Sequence, residues 1–242
     1  MSTAESVQPI LTEQSKPQYD AQEMVSLIAH ELRQPLSTME SLSCYLEIVL
    51  PPHETKAHLQ VAKMQELLRQ ANWILSDAVH FLQAARVHPV LMDWNETVME
   101  IVSEGGATPG ETIEFTLEDS IPPILFDLDQ AWHLAMGVYL FLRKLSRNKS
   151  QVKVSSRLLP GLVELEFAAA APEANPDCCE SLFEPFSSHC PAGSGLAMAS
   201  AKRIVQSHGG TIEVQTRPED LVVIALRFPI QACSQADISE ST

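Results

Sequence analysis

The sequence predicts an α+β protein: a helical hairpin at the N-terminal side, followed by an α/β sandwich. Three observations carry this reading. Two stretches of about thirty residues hold apolar side chains at three- and four-residue spacing, and only Pro51 to Glu54 separates them. From Met92 the pattern becomes mixed, with short alternating runs between helical ones. The Gly209-Gly210 pair closes the last helical pattern just before two more alternating runs.

Residues 1–20 are polar and aperiodic and read as a flexible tail, too short for a sensor domain. The first helix is predicted from about Ala21 to Leu50, with an apolar face of Leu27, Ile28, Leu32, Pro35, Leu36 and Met39. His30 and Arg33 fall off that face. Pro35 removes a backbone donor and crowds the carbonyl four residues back, so a bend is expected one turn after His30. The second helix is predicted from about Thr55 to Arg86, with Val61, Met64, Leu67, Ala71, Ile74, Ala78 and Leu82 at helical spacing. One hairpin cannot cover two apolar faces, whereas two hairpins can, so residues 21–88 predict a dimeric four-helix bundle.

Val87 to Leu91 reads as a linker. Beyond it come a short helix capped by Asp93 or Asn95 and a strand over Ile113–Leu117. A long apolar helix follows over Asp127–Leu145, then a strand pair, Val152–Leu158 and Leu162–Phe167, around Pro160-Gly161. The helix Gly195–His208 and the strands Thr211–Thr216 and Leu221–Phe228 complete a second unit over residues 92–231. Residues 232–242 read as a tail.

Charge and composition narrow the function. Sixteen basic side chains stand against 31 acidic ones, net −15, which argues against nucleic acid or an anionic membrane as partner. No run approaches the length of a membrane span, and the five irregularly spaced cysteines suit a reduced compartment, so a cytoplasmic location is expected. Cys178, Cys179, His189 and Cys190 have metal-binding chemistry without a finger spacing, and no metal is expected. His80, His133 and His208 have no recognised sequence neighbours and read as structural.

The stretch His30-Glu31-Leu32-Arg33-Gln34-Pro35-Leu36 carries chemistry. An imidazole is nucleophilic at neutral pH when one ring nitrogen is unprotonated, and an adjacent carboxylate can hold the other N–H. The stretch resembles the phospho-accepting box of two-component histidine kinases, H-E-[LIF]-[RKN]-x-P-[LI]. The resemblance implies His30 as phosphoacceptor, Glu31 as tautomer holder, Arg33 beside the phosphoryl group, a homodimer, and a response-regulator receiver domain as partner. Gln34 stands where the family often has threonine or asparagine to orient water in phosphatase action, and glutamine is longer.

The second unit resembles the ATP-binding domain of the same kinases, through Phe183 to Phe186 (F-E-P-F) and Gly193 to Gly210 (G-S-G-L-A-M-A-S-A-K-R-I-V-Q-S-H-G-G). Aligned on these pieces, the family's nucleotide-binding places depart. The asparagine places on the Asp127–Leu145 helix carry Gly137 and Phe141, and only Lys144 keeps its identity. The aspartate place that would accept the adenine amino group is Ala169, the following glycine places are Ala171 and Glu173, and the third glycine of the last box is Ala197. Phenylalanine offers a hard cation no oxygen. A lost hydrogen bond to a carboxylate costs about 1.5–3 kcal/mol, and losing metal bridging removes more. Residues 91–242 carry 10 basic and 21 acidic side chains, a poor host for a polyanion. Gly193 and Gly195 could still cradle an anion at a helix N-terminus.

The expectation is therefore a phosphorelay protein of kinase descent, in which His30 exchanges phosphate with receiver aspartates and no cofactor is required. An ATP-dependent kinase, with Mg-ATP as its cofactor, and a non-catalytic regulator-binding module are the alternatives.

Overall fold

The computed structural model describes residues 21–106, 113–146, 151–171, 181–186 and 195–230. Two 29-residue helices, α1 (Ala21–Val49) and α2 (Thr55–Gln83), form the hairpin. Polar staples set its antiparallel register: Gln22 Nε2 donates to the Leu82 carbonyl at 2.9 Å, Gln83 Nε2 to Ser26 Oγ at 2.6 Å, and Gln65 Nε2 to Glu47 at 2.9 Å. Helix α1 is continuous from Ala21 to Val49 with Pro35 inside it. The proline removes only the donor owed to the Glu31 carbonyl, a loss one turn of an exposed 29-residue helix can absorb.

The predicted linker is partly a strand. Val90–Met92 (β1) pairs antiparallel with Ile124–Phe126 (β3). Three residues are too few for alternation to show. Asp93 caps α3 (Trp94–Gly106) by accepting from Glu96 N at 3.0 Å. The main sheet has the order β2-β4-β5-β7-β6, formed by Ile113–Thr116, Val152–Leu159, Leu162–Ala170, Leu221–Pro229 and Thr211–Arg217 in that order. Among the described residues, the β2–β4 pair is parallel and the other pairs of this sheet are antiparallel. Strand β5 continues past the predicted end at Phe167, because Ala168, Ala169 and Ala170 pair with Val223, Val222 and Leu221.

Helices α3, α4 (Leu128–Leu145) and α5 (Ala197–Ser207) pack against this sheet around Trp94, Phe126, Tyr139, Phe167 and Phe228, all buried. Trp94 stacks on Phe228 at 5.3 Å, and Phe126 meets both edge-on. Gly210, entering β6, has to be glycine: a Cβ there would lie 2.5 Å from the Arg227 carbonyl.

The other sheet face carries an ion ladder. Glu164, buried, binds Arg157 on one neighbouring strand and Arg227 on the other, the latter at 2.6 Å. Arg227 also meets Glu213 at 2.8 Å, and Arg217 meets Glu166 at 2.6 Å.

Asp127 joins the parts. One carboxylate oxygen caps α4 through Gln130 N at 3.1 Å, and the other accepts from His88 N in the segment leaving the hairpin at 2.7 Å. Its own N–H donates to His208 Nε2 at 3.1 Å, while His208 Nδ1 meets the Ile204 carbonyl at 2.8 Å. With both nitrogens engaged in this way, His208 is a neutral, structural imidazole.

Candidate functional site

His30 is exposed on α1. Its Nε2 lies 3.4 Å from the side-chain nitrogen of Gln34, one turn on. An amide N–H can donate to Nε2 only in the tautomer that carries the ring proton on Nδ1. Glu31, given the tautomer-holding role by the sequence, is exposed and points elsewhere: it has no bond to His30 among the described residues, since successive helical positions do not face each other. Gln34, at i+4, does. Arg33 reaches across the hairpin, its Nη2 donating to Ser76 Oγ of α2 at 3.3 Å. The structure thus brings His30 and Gln34 together and ties Arg33 to α2.

The C-terminal half of α2 lies against α4 and α5. Trp73, Asp77 and His80 form one stripe of α2, at i, i+4 and i+7, and meet Asp129, Trp132, His133 and Gly137 of α4. Trp73 stacks on His133 at 5.1 Å and tilts against Trp132 at 5.8 Å, and His80 stacks on His133 at 4.0 Å. His133 Nε2 stands 3.1 Å from Asp77 Oδ1 with both side chains buried. The pair is not aligned as a hydrogen bond, and neither atom has another partner among the described residues. Burial pushes the His80 imidazole down to about 4; the nearby His133 adds to this, and Asp129, at 3.7 Å, opposes it. Burial raises the Asp77 carboxyl above its ordinary value against the pull of His133. His80 and His133, which the sequence left without neighbours, are therefore partners. The two complementary stripes at helical spacing were the available signal.

Residues 141–232 match the family described as histidine kinase-, DNA gyrase B-, and HSP90-like ATPase. The chain is 24% identical over 207 residues to the sensor histidine kinase ZraS of Klebsiella oxytoca, covering 84% of this chain and 45% of that protein. It is 27% identical over 227 residues to the signal transduction histidine-protein kinase BaeS of Escherichia coli (strain K12), covering 87% and 47%. Over most of its length the chain thus resembles two-component histidine kinases. The chain spans about half the length of these two curated relatives. Two solved structures share its fold: full-length ShkA in complex with AMPPNP (TM-score 0.66, 19% identity, 86% of this chain and 45% of that one) and the Acinetobacter baumannii histidine kinase AdeS (TM-score 0.57, 18% identity, 84% and 98%).

The residues that the sequence reading aligns with the family's nucleotide-binding places are mostly buried. Gly137 lies under Trp73, and Phe141 is turned inward at 7% exposure. Ala169 is inside β5, and Ala171 is buried, its N–H donating to the Asp220 carbonyl at 2.9 Å. Lys144 is exposed in the last turn of α4. Gly195, with φ 70°, enters α5, whose first turn has no side-chain cap. Gly193, Glu173, Cys178, Cys179, His189 and Cys190 lie outside the described residues. Among the described residues, no group of three His, Cys, Asp or Glu is placed to hold a metal.

Proposed function

We propose that this protein is a phosphorelay protein in which His30 accepts a phosphoryl group from a response-regulator receiver aspartate and donates it to another. The observation that carries the reading is the exposed His30 whose Nε2 faces the Gln34 amide at 3.4 Å, on a chain in which Gly137, Phe141 and Ala169 align with the family's nucleotide-binding places. The lone pair on Nε2 attacks phosphorus. The N–P bond forms as the acyl O–P bond breaks, the receiver carboxylate leaves, and Nδ1 keeps its proton. Transfer onward is the reverse. Arg33, one turn from His30, supplies positive charge once it lets go of Ser76. The receiver contributes its own acidic pocket.

The working unit is a homodimer in this reading. Leu27, Ile28, Leu32, Met39, Leu42 and Ile48 of α1 and Leu59, Leu67 and Ile74 of α2 are all exposed in the single chain. A second hairpin packed on them completes a four-helix bundle.

An ATP-dependent kinase is the second reading, supported by the match over residues 141–232 and by the names of the relatives. One pair of measurements separates the two. Radiolabel should pass from a phosphorylated receiver to wild-type protein as an acid-labile, alkali-stable adduct, and His30→Gln should take none. Calorimetry with Mg-ATP should show no heat at sub-millimolar nucleotide. A micromolar dissociation constant decides for the kinase. No label from any receiver of the same cell, with no nucleotide binding either, leaves a module that only sequesters a regulator.

A further inference from the structure

We propose that the stacked imidazoles of His80 and His133 are a proton-operated catch: proton uptake at His80 releases α2 from α4 while the hairpin and the second unit each stay folded. The ground is the geometry of the stack. The His133 ring lies between the Trp73 indole, 5.1 Å away, and the His80 ring, 4.0 Å away and tilted by only 21°. Trp73 and His80 come from α2 and His133 from α4, so the stack holds only while the two helices touch. Beside it, Asp77 Oδ1 stands 3.1 Å from His133 Nε2, and neither atom has a hydrogen-bond partner among the described residues.

The arrangement has room for one positive charge and not for two. A proton on His133 is balanced by the Asp77 carboxylate inside the seam. A proton on His80 as well would set two imidazolium rings face to face at 4.0 Å, away from the water that would screen them. The other charged groups around His80 do not offset this. Asp129 of α4 approaches it at 3.7 Å, but from solvent, at 86% exposure. Asp127, at the start of α4, acts more weakly than Asp129, and Arg33 of α1 adds positive charge. Arg203 of α5, over the Phe81 ring, brings a further cation to the residue next to His80. Burial, with the charge of His133 second, holds the His80 imidazole down to about 4 while the seam is closed.

Opening separates the rings and returns His80 to water, where its ordinary value is 6.5. The open form therefore takes up the proton first. The closed form keeps its full advantage above 6.5 and loses it as pH falls from there towards 4. From pH 7 to pH 5 the equilibrium should move about tenfold towards the open form, allowing for the contact that His80 keeps with water. Ser76, which holds Arg33, is the residue before Asp77, so the release bears on the side of the hairpin that carries His30. The inference stands whether or not His30 carries phosphate.

The test is hydrogen exchange of the full chain at pH 7 and pH 5, read by mass spectrometry and corrected for the intrinsic pH dependence of amide exchange. Peptides covering 70–83 of α2 and 128–140 of α4 should lose protection about tenfold at pH 5, whereas β5 and β7 should keep theirs. His80→Phe keeps a ring to stack on His133 but takes no proton, so its two seam peptides should be equally protected at both pH values. If that variant does not fold, His80→Gln carries the same test. Equal wild-type protection at both pH values overturns the proposal. So does a loss of protection that extends equally to β5 and β7, because the whole chain is then unfolding. A tenfold loss that persists in His80→Phe or His80→Gln overturns it too, since the proton is then bound elsewhere.

Discussion

At the scale of single residues, His80 makes the protein pH-sensitive. It is faced by His133 and Asp129 of α4, by Arg33 of α1 and by Asp127 at the start of α4, and it shares its own helix with Asp77. Its folded value of about 4 lies below the ordinary 6.5, so the unfolded chain takes up the proton first on acidification. The contribution is complete above the ordinary value and is lost as pH falls from there towards 4. Between pH 7 and pH 5 the loss should be about 1–2 kcal/mol, allowing for partial contact with water. Urea unfolding at the two pH values measures it, and His80→Phe should flatten the dependence. An unchanged dependence in His80→Phe would show that other groups carry it. Sequence reasoning could see each of these histidines but not their meeting, which needs faces of two helices 50 residues apart in the chain. Likewise the box located His30, yet the choice of Gln34 over Glu31 as its neighbour follows from helix geometry rather than from residue type.

At the scale of elements, the ion ladder is what makes the uncovered sheet face stable. Burial alone would raise the Glu164 carboxyl, but hydrogen bonds from Arg227 and Arg157 outweigh it and hold the group below its usual range. Glu164→Ala leaves both guanidiniums without their shared partner over the central strands. Because both arginines keep contact with water, the cost should be about 1–2 kcal/mol. Thermal unfolding checks this, and the loss should shrink on acidification, as the carboxylate it removes is protonated anyway in wild type. Length decided which elements could be read. Helices α1, α2 and α4 span many turns, so their apolar period is plain, whereas β1 and β3 have three residues each and no period. The end of β5 was hidden for another reason: four consecutive alanines carry no strand preference, and only their pairing with Leu221–Val223 makes three of them a strand.

At the scale of the whole molecule, the exposed apolar residues of the hairpin fit the proposed second hairpin. Light scattering at micromolar concentration should give twice the chain mass of 26.7 kDa. Leu42→Glu together with Leu67→Glu, both on exposed apolar positions, should yield monomer with the second domain still folded. A monomeric wild type would remove the bundle from the account. The order of helical hairpin and mixed sheet was legible because the change of period at Met92 is abrupt. The mutual packing of the two parts was not, since the stripes on α2 and α4 reveal themselves as partners only once the fold brings them together.

The carboxylate of Asp127 has a kinetic corollary. It caps α4 with one oxygen and holds His88, just beyond the hairpin, with the other. Releasing the strap that leaves the hairpin therefore frees a group already engaged with the first turn of α4, and the two events share one hinge. Fluctuations of the hairpin exit and of that first turn are therefore expected to be coupled. A motion begun at the hairpin exit has a direct route to the first turn of α4 through this carboxylate, beside the contacts of Trp73 and His80 with His133.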